Sequence, residues 1–353
     1  MNEQNSKYIS CMAAVRDGDL DELKRMRENG CKWDLLTPAN AAGNGHLDCL
    51  KYCFENGCPW DDYTTQRASA SGHLECLRYA HENGCPWDVF TSFRAAENGH
   101  LECLRYAHEN GCPCDETIPK YAAMNGHLNC LKYAYEHRIP WDRWTPIFAV
   151  KYGHLECLKY AHENGCPWDD VTCRVASSTG HLDCLKYAHE KGCGWDETTT
   201  KYASEGGHIE CLKYAHENGC EWNKNTPEHA ALFGRLDCLR YAHENGCPWD
   251  KSTPQNAAEK NNFECFKYCF QEWNNPQDFW NHEYILDLII DQFDLDDPVW
   301  RKLLTLDLSK HPELQTKVES KKKELEEMKE ATQEVLLPKL PLDVIKYCLC
   351  PFF

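Results

Sequence analysis

The stretch GHLECLKYAHENGCPWD at residues 153–169 has a near copy, GHLECLRYAHENGCPWD, at residues 72–88. Its opening frame returns every 27 residues along the chain, with no insertion or deletion. The frame starts at residues 18, 45, 72, 99, 126, 153, 180, 207, 234 and 261. Such regularity predicts a solenoid, because each repeat of a solenoid must stack on the repeat before it.

Each repeat contains the pattern of two short helices. A threonine, often followed by proline as in Thr37-Pro38, predicts the N-cap and first position of the first helix. Four residues after the threonine every copy has an alanine, such as Ala41, whose small side chain allows neighbouring helices to approach closely. The second helix carries leucine and alanine at helical spacing, as at Leu77, and a glycine such as Gly84 ends each helix.

This pattern resembles the ankyrin repeat. The resemblance rests on the Thr-Pro, Ala-Ala and Gly-His-Leu elements and the closing glycine, read for example from Thr37 to Gly57, and it covers roughly residues 8–273. It implies an all-α, ankyrin-like α-solenoid of about ten stacked helix-turn-helix repeats with a helical C-terminal extension. Ankyrin repeats have about 33 residues, with a hairpin between repeats. Because the repeats here have 27 residues, we expect shortened connectors without a projecting hairpin.

Two segments follow from this pattern. Residues 1–273 are predicted to form the repeat array, and residues 274–353 a helical cap and tail, including a charged helix over residues 312–335. The apolar stretch at 335–353 resembles the opening of an F-box-type motif, which would imply recruitment of ubiquitin-ligase subunits. The alternative is that this tail docks onto the array itself. The positions that match the motif are Leu340, Pro341, Asp343, Val344, Ile345 and Leu349.

Cysteine, histidine and tryptophan recur at fixed places in the repeat, and the chain has 24 cysteines. Equivalent positions in stacked helices lie about 10 Å apart, too far for disulfides between them or for a shared zinc ion. We therefore predict buried free cysteines, with no metal and no other cofactor. We expect the Gly-His histidines to order the turns, the histidines of AHEN to face water, and Pro-Trp-Asp to cover the seam between repeats.

Charge and composition limit the classes of function. A formal net charge of −18 disfavours nucleic-acid binding. The basic residues of the second helices have acidic neighbours one turn away, so that stripe is interpreted as a solvated surface. Without a long apolar run or a secretory signal, we expect an intracellular, cytoplasmic monomer (in the host cytoplasm if the protein is viral) that does not bind membranes. The sequence contains no Walker A, GxSxG or HExxH motif, so we predict that the protein is not an enzyme.

The repeats differ from one another mainly on one side of the first helix, as the spacing of Asp62, Tyr63, Gln66 and Arg67 illustrates. In ankyrin proteins, which these repeats resemble, this side lines the concave groove where partners bind. We predict that it binds a protein partner through aromatic and basic anchors; the alternative is that the aromatic side chains fill gaps between repeats. The predicted partner-binding residues are Tyr63, Arg67, Phe90, Phe93, Arg94, Lys120, Tyr121, Trp144, Phe148, Lys151, Tyr152, Arg174, Tyr202 and Phe233.

The sequence thus predicts a non-enzymatic protein–protein interaction scaffold. A narrower hypothesis makes the chain a substrate-recruiting adaptor of a cullin-type ubiquitin ligase, acting through the C-terminal motif. A hypothesis from another class is a metal- or redox-responsive protein that uses the rows of cysteine and histidine.

Overall fold

A computed structural model describes residues 11–272, 315–324 and 326–327, and all regular secondary structure in those ranges is helical. The chain divides into two compact parts. Among the described residues, the N-terminal part comprises residues 11–203 together with 210–220, and the C-terminal part comprises residues 204–209 together with those described from 221 onward. The predicted all-α class is confirmed for the described residues.

Each repeat contributes a first and a second helix, as the sequence predicts. The first helices comprise residues 11–17, Leu36–Gly43, Asp62–Ala70, Val89–Glu97, Thr117–Met124, Trp144–Lys151, Asp170–Thr179, Glu197–Gly206, Asn225–Leu232 and Ser252–Glu259. The second helices comprise Leu20–Glu28, Leu47–Glu55, Leu74–Glu82, Leu101–Glu109, Leu128–Glu136, Leu155–Glu163, Leu182–Glu190, Ile209–Glu217, Leu236–Glu244 and Phe263–Glu272. Residues 315–324 are also helical, and Val318 is buried there, in agreement with the helix predicted over residues 312–335.

Within each part, a first helix packs on the second helix of its own repeat and on the next first helix. The alanine of the first helix is buried in every repeat, from Ala14 to Ala257, because no larger side chain would fit between two first helices. In the second helix, Leu77 and Ala80 are fully buried, whereas Leu74 is only half-buried. The core is therefore a narrow column of small and branched side chains.

From residue 36 onward the first helices are capped by aspartate, except in one repeat where Asn223 takes this place, so the predicted threonine N-caps are wrong. The Asp88 carboxylate accepts a hydrogen bond from the backbone N–H of Phe90 at 3.1 Å, and Asp34 accepts one from Leu36 at 3.0 Å. Thr91 lies one turn inside the helix with its side chain buried. The aspartate that follows tryptophan in the connector starts the helix earlier than the Thr-Pro pattern indicates, because its carboxylate reaches the unpaired N–H groups of the first turn.

The turn between the two helices depends on a glycine that contacts the next repeat. Gly72 has φ of +75°, a left-handed conformation that favours glycine. A Cβ atom at this position would lie 2.5 Å from Nδ1 of His100 in the next repeat. In the equivalent contact, Nε2 of His46 donates to the backbone oxygen of Arg16 at 3.0 Å. The Gly-His histidines from His46 to His181 therefore order turns as predicted, but each of them orders the turn of the preceding repeat.

The tryptophan of the connector covers the seam between repeats, as predicted. Trp87 stacks on His81 with ring centroids 3.7 Å apart and meets Tyr106 of the next repeat edge-on at 6.2 Å. Nδ1 of His81 and the Tyr106 hydroxyl are hydrogen-bonded at 2.9 Å. The prediction that the AHEN histidines only face water is wrong, because the indole covers one side of the imidazole and the tyrosine binds its nitrogen. The same arrangement recurs around Trp168, Trp195 and Trp249.

The cysteines are buried, and many donate hydrogen bonds between repeats. The Cys85 thiol donates to the backbone oxygen of Asp61 at 3.1 Å. Burial raises the pKa of Cys103 to about 12, so that thiol stays protonated at neutral pH. The prediction of free cysteines is wrong for one pair, since Cys11 and Cys31 are joined by a disulfide. The spacing argument applied to equivalent cysteines of neighbouring repeats, whereas this pair lies within one repeat.

We expect Gly72→Ala to destabilise the array more than Gly84→Ala. Both glycines have positive φ, but a Cβ atom added at Gly84 meets no atom within 4 Å. The left-handed backbone alone costs alanine about 1–2 kcal/mol, and at Gly72 the collision with His100 adds to this. Chemical denaturation of both variants measures the two free energies of unfolding. Equal losses of unfolding free energy in the two variants would show that His100 does not pack against Gly72.

We also expect the array to lose stability as the pH falls below about 6.5. Burial lowers the pKa of both His73 and His127, and the positive charge of neighbouring histidines lowers both further. The unfolded chain therefore binds protons at a pH where these folded imidazoles remain neutral, so stability falls as the pH drops through the unfolded pKa toward the folded one. Melting temperatures at neutral and mildly acidic pH measure the loss.

The matched variant for this pH dependence is His73→Asn/His127→Asn. Asparagine occupies the equivalent position in the last repeat, where Nδ2 of Asn262 donates to the backbone oxygen of Ala231 at 2.9 Å. We expect the double variant to fold and to show a smaller drop in melting temperature on acidification. An unchanged drop would contradict the assignment of the effect to this row of histidines.

Candidate binding surface

The fourteen residues predicted to bind a partner form what we call the first-helix face, and none of them is buried. Thirteen belong to the N-terminal part, whereas Phe233 belongs to the C-terminal part. The exposed members are Tyr63, Phe90, Arg94, Trp144, Lys151, Tyr152 and Phe233. The half-buried members are Arg67, Phe93, Lys120, Tyr121, Phe148, Arg174 and Tyr202.

Half-buried rings connect three consecutive repeats across this face. The ring centroids of Phe93 and Tyr121 are 4.7 Å apart, and those of Tyr121 and Phe148 are 6.4 Å apart. Each of the three rings comes from a different first helix. For these side chains the gap-filling interpretation applies in part, because their packing holds neighbouring first helices together.

Exposed rings flank this row and are available to a partner. Phe90 lies 6.2 Å from Phe93, and Trp144 lies 6.4 Å from Phe148, measured between ring centroids. Phe90 is 51% exposed, and both Trp144 and Tyr152 are 42% exposed. Side chains this large and this exposed contribute little to the packing between repeats.

Basic groups lie over these rings. The Arg94 guanidinium is 5.3 Å from the centroid of Phe93, and the Lys120 ammonium is 5.5 Å from that of Phe148. Lys151 lies 5.5 Å from the ring of Tyr152. The ring faces attract the cations and hold them beside the aromatic row.

A cavity of about 540 Å³ opens on the first-helix face between three repeats. Its lining includes the guanidinium-bearing side chains of Arg67 and Arg94, and Glu97 forms an ion pair with Arg94 at 2.6 Å. Six of the nine lining residues are not among the fourteen predicted ones, and two of these six are Asn98 and Asn125. A signal for these two was present, because the same position of the repeat holds Tyr152 and Phe233 in other copies. The full lining is Tyr63, Gln66, Arg67, Ala70, Arg94, Glu97, Asn98, Met124 and Asn125.

Four further predictions concern metal sites, membrane-spanning helices, the basic stripe of the second helices and the C-terminal motif. In the described part of the chain, no group of three or more His, Cys, Asp or Glu side chains is placed to hold a metal ion. Among the described residues, no helix has the length and apolar character needed to cross a bilayer. The second-helix basic stripe pairs with acidic residues as predicted, for example Lys159 with Glu156 at 2.8 Å. The motif positions between Leu340 and Leu349 lie outside the described residues.

A family model for ankyrin repeats in sets of three copies matches residues 92–171 and again residues 173–253. These residues of the chain are ankyrin repeats. The repeats are joined by short connectors such as residues 83–88, which contain no strand, in agreement with the expected loss of the hairpin. No curated protein matches the chain. Ankyrin repeats serve as protein–protein interaction scaffolds, and the family is typically non-enzymatic.

Two tryptophans of these ankyrin repeats test whether an exposed ring is available to a partner or fills a gap between repeats. We expect Trp87→Ala to lower the free energy of unfolding by about 2–3 kcal/mol, because it removes the stack on His81 and the contact with Tyr106. Trp144→Ala should change it by less than about 1 kcal/mol, since that ring is 42% exposed. Chemical denaturation measures both, and a large loss for Trp144→Ala would make that ring a structural filler.

Proposed function

We propose that this protein is a non-enzymatic scaffold that binds a protein partner through the first-helix face of its N-terminal part. One observation carries the proposal. Of the eight large apolar side chains that are exposed in the described residues, only Tyr135 belongs to a second helix. The other seven lie on or next to first helices, namely Leu35, Leu36, Tyr63, Phe90, Trp144, Tyr152 and Phe233. An apolar surface concentrated in this way is typical of an interaction site.

The composition of the face supports the same proposal. Aromatic and arginine side chains are the usual anchors of protein interfaces, since they bury a large area and lose little side-chain entropy. Phe90 and Arg94 are both exposed and lie one turn apart on the same helix. That helix is held by contacts outside the face, such as the cap at Asp88 and the buried Ala95. The anchors are therefore presented on a rigid support, which reduces the entropy lost on binding.

The two other hypotheses gain no comparable support. The role as an adaptor of a cullin-type ubiquitin ligase depends on residues 335–353, which lie outside the described residues, so it stays a prediction. A metal- or redox-responsive role would need accessible thiols, but burial raises the pKa of Cys76 to about 11 and that of Cys157 to about 12.

The proposal is tested by comparing three baits in affinity capture from a eukaryotic lysate with mass spectrometry. The baits are the full chain, its Phe90→Ala/Trp144→Ala variant and its Tyr135→Ala variant, which removes an equally large exposed ring from a second helix. We expect the same proteins to be retained by the full chain and by Tyr135→Ala, and lost by Phe90→Ala/Trp144→Ala. Retention of the same proteins by all three baits would refute binding through the first-helix face.

A fourth bait, ending at Gln333, tests the adaptor hypothesis separately. If the C-terminal stretch recruits a ligase, cullin-ligase subunits should be absent from this bait alone, while proteins that depend on Phe90 and Trp144 remain bound. Identical recovery by the full and the shortened chain would contradict the adaptor role without affecting the scaffold proposal.

A further inference from the structure

We propose that the partner of the first-helix face is an acidic peptide in extended conformation, whose carboxylates bind at Arg67 and Arg94 and whose apolar side chains lie along the aromatic row. This inference rests on the proposed function and specifies the chemistry of the partner. It is carried by the placement of charge on the face, by the cavity between the two arginines and by the spacing of the rings.

The first-helix face is locally basic in a chain whose formal net charge is −18. Four of the first helices, which lie between residues 62 and 151, contain four basic and two acidic residues. The basic residues are Arg67, Arg94, Lys120 and Lys151, and the acidic residues are Asp62 and Glu97. The local excess of positive charge is thus opposite in sign to the charge of the whole molecule and favours an acidic ligand.

Three carboxylates near the face are already engaged. Asp61 and Asp88 accept backbone N–H groups at the helix starts, at 3.2 and 3.1 Å, and Asp88 also accepts from Nε2 of Gln66 at 3.1 Å. Glu97 pairs with Arg94 through one guanidinium nitrogen, Nη1. Because a guanidinium carries five N–H donors, Arg94 keeps donors for a second carboxylate.

Three of the cations have no carboxylate partner among the described residues. Lys120, Lys151 and Arg67 are instead held over aromatic rings, with Arg67 5.9 Å from the centroid of Tyr63. An aromatic ring positions a cation without neutralising its charge. These groups are therefore fixed in place and still able to bind an external anion.

The cavity of about 540 Å³ brings the guanidinium-bearing side chains of Arg67 and Arg94 to one site. Guanidinium groups match the two oxygens of a carboxylate through paired N–H donors. Tyr63 and Met124 supply apolar lining in the same cavity, and Asn98 supplies an amide. This combination suits an aspartate or glutamate side chain together with the adjoining peptide backbone.

The ring spacing sets the arrangement of the remaining peptide. Ring centroids along the row of Phe93, Tyr121 and Phe148 are separated by 4.7 and 6.4 Å. An extended chain advances about 3.3–3.6 Å per residue, so two peptide residues span roughly the step from Tyr121 to Phe148. We therefore infer a ligand with an acidic residue at the cavity, followed by apolar residues at alternating positions.

The test is selection of a random twelve-residue peptide library displayed on phage against the full chain. Selected peptides are then synthesised and titrated against the full chain, against Arg67→Gln/Arg94→Gln and against Arg78→Gln/Arg105→Gln. The last variant removes the same charge from the second helices of the same two repeats, where Arg78 and Arg105 lie 4.0 and 3.8 Å from carboxylate oxygens of Glu75 and Glu102. Circular dichroism melts establish that all three proteins are folded.

We expect the selected peptides to be enriched in aspartate and glutamate, with apolar residues at alternate positions. Their affinity should fall about tenfold or more for Arg67→Gln/Arg94→Gln, change little for Arg78→Gln/Arg105→Gln, and decrease as salt is raised. Enrichment of neutral or basic peptides, failure of the library to yield any binder, or equal binding to both variants would overturn the inference. So would a fifteen-nucleotide oligouridine that binds with the same dependence on Arg67 and Arg94, since the ligand would then be a nucleic acid.

Failure of this inference can be told apart from failure of the proposed function. Peptides that lose binding to Phe90→Ala/Trp144→Ala but bind normally to Arg67→Gln/Arg94→Gln would leave the first-helix face as the binding surface and remove the acidic preference. Peptides that are insensitive to both pairs of substitutions would overturn both proposals.

Discussion

Within each part, the contact between a turn glycine and the side chain one position after the equivalent place in the next repeat fixes the period of the repeats. The glycine must adopt positive φ and must lack a Cβ atom, because the neighbouring side chain occupies that space. Where histidine is replaced, the contact persists: Arg235 packs on Gly207, and its Nε donates to the backbone oxygen of Glu205 at 3.2 Å. The contact therefore depends on where the side chain lies, and an imidazole ring is not required for it. An inserted residue would misplace this contact in the repeat that carries it.

Stability and recognition are assigned to different sides of the repeat. The second helix and the connector hold neighbouring repeats through the His81–Trp87–Tyr106 arrangement and the bond from Cys85 to Asp61. These residue types recur in most copies because each contact joins a fixed place in one repeat to a fixed place in the next. The outer positions of the first helix take no part in that pattern, so they are free to vary. Their variation leaves aromatic and basic side chains exposed on a rigid support.

The period, the helix pairs, the buried alanines and the cover provided by tryptophan were all predictable, because each depends on spacing within one repeat. Apart from the disulfide between Cys11 and Cys31 within the first repeat, the errors concern contacts between repeats or competing local signals. The bond between His81 and Tyr106 joins residues 25 positions apart, so periodicity alone could not reveal it. The capping aspartate was missed because Thr-Pro is itself a strong helix start signal. The cavity between Arg67 and Arg94 could not be predicted, because it depends on how three repeats pack. Some of the variable residues that line it could be predicted, because they differ among the copies of the repeat.

The most direct measurement is an alanine scan of residues 72–98, one complete period, with two readouts for every variant: the free energy of unfolding and the affinity for the captured partner. The separation of roles predicts that stability losses fall on the positions repeated among copies, such as Gly72, Leu77 and Trp87. Affinity losses without loss of stability should fall on variable positions such as Phe90 and Arg94. If affinity losses instead follow stability losses position by position, or cluster on the second helix, the first-helix face is not the binding surface.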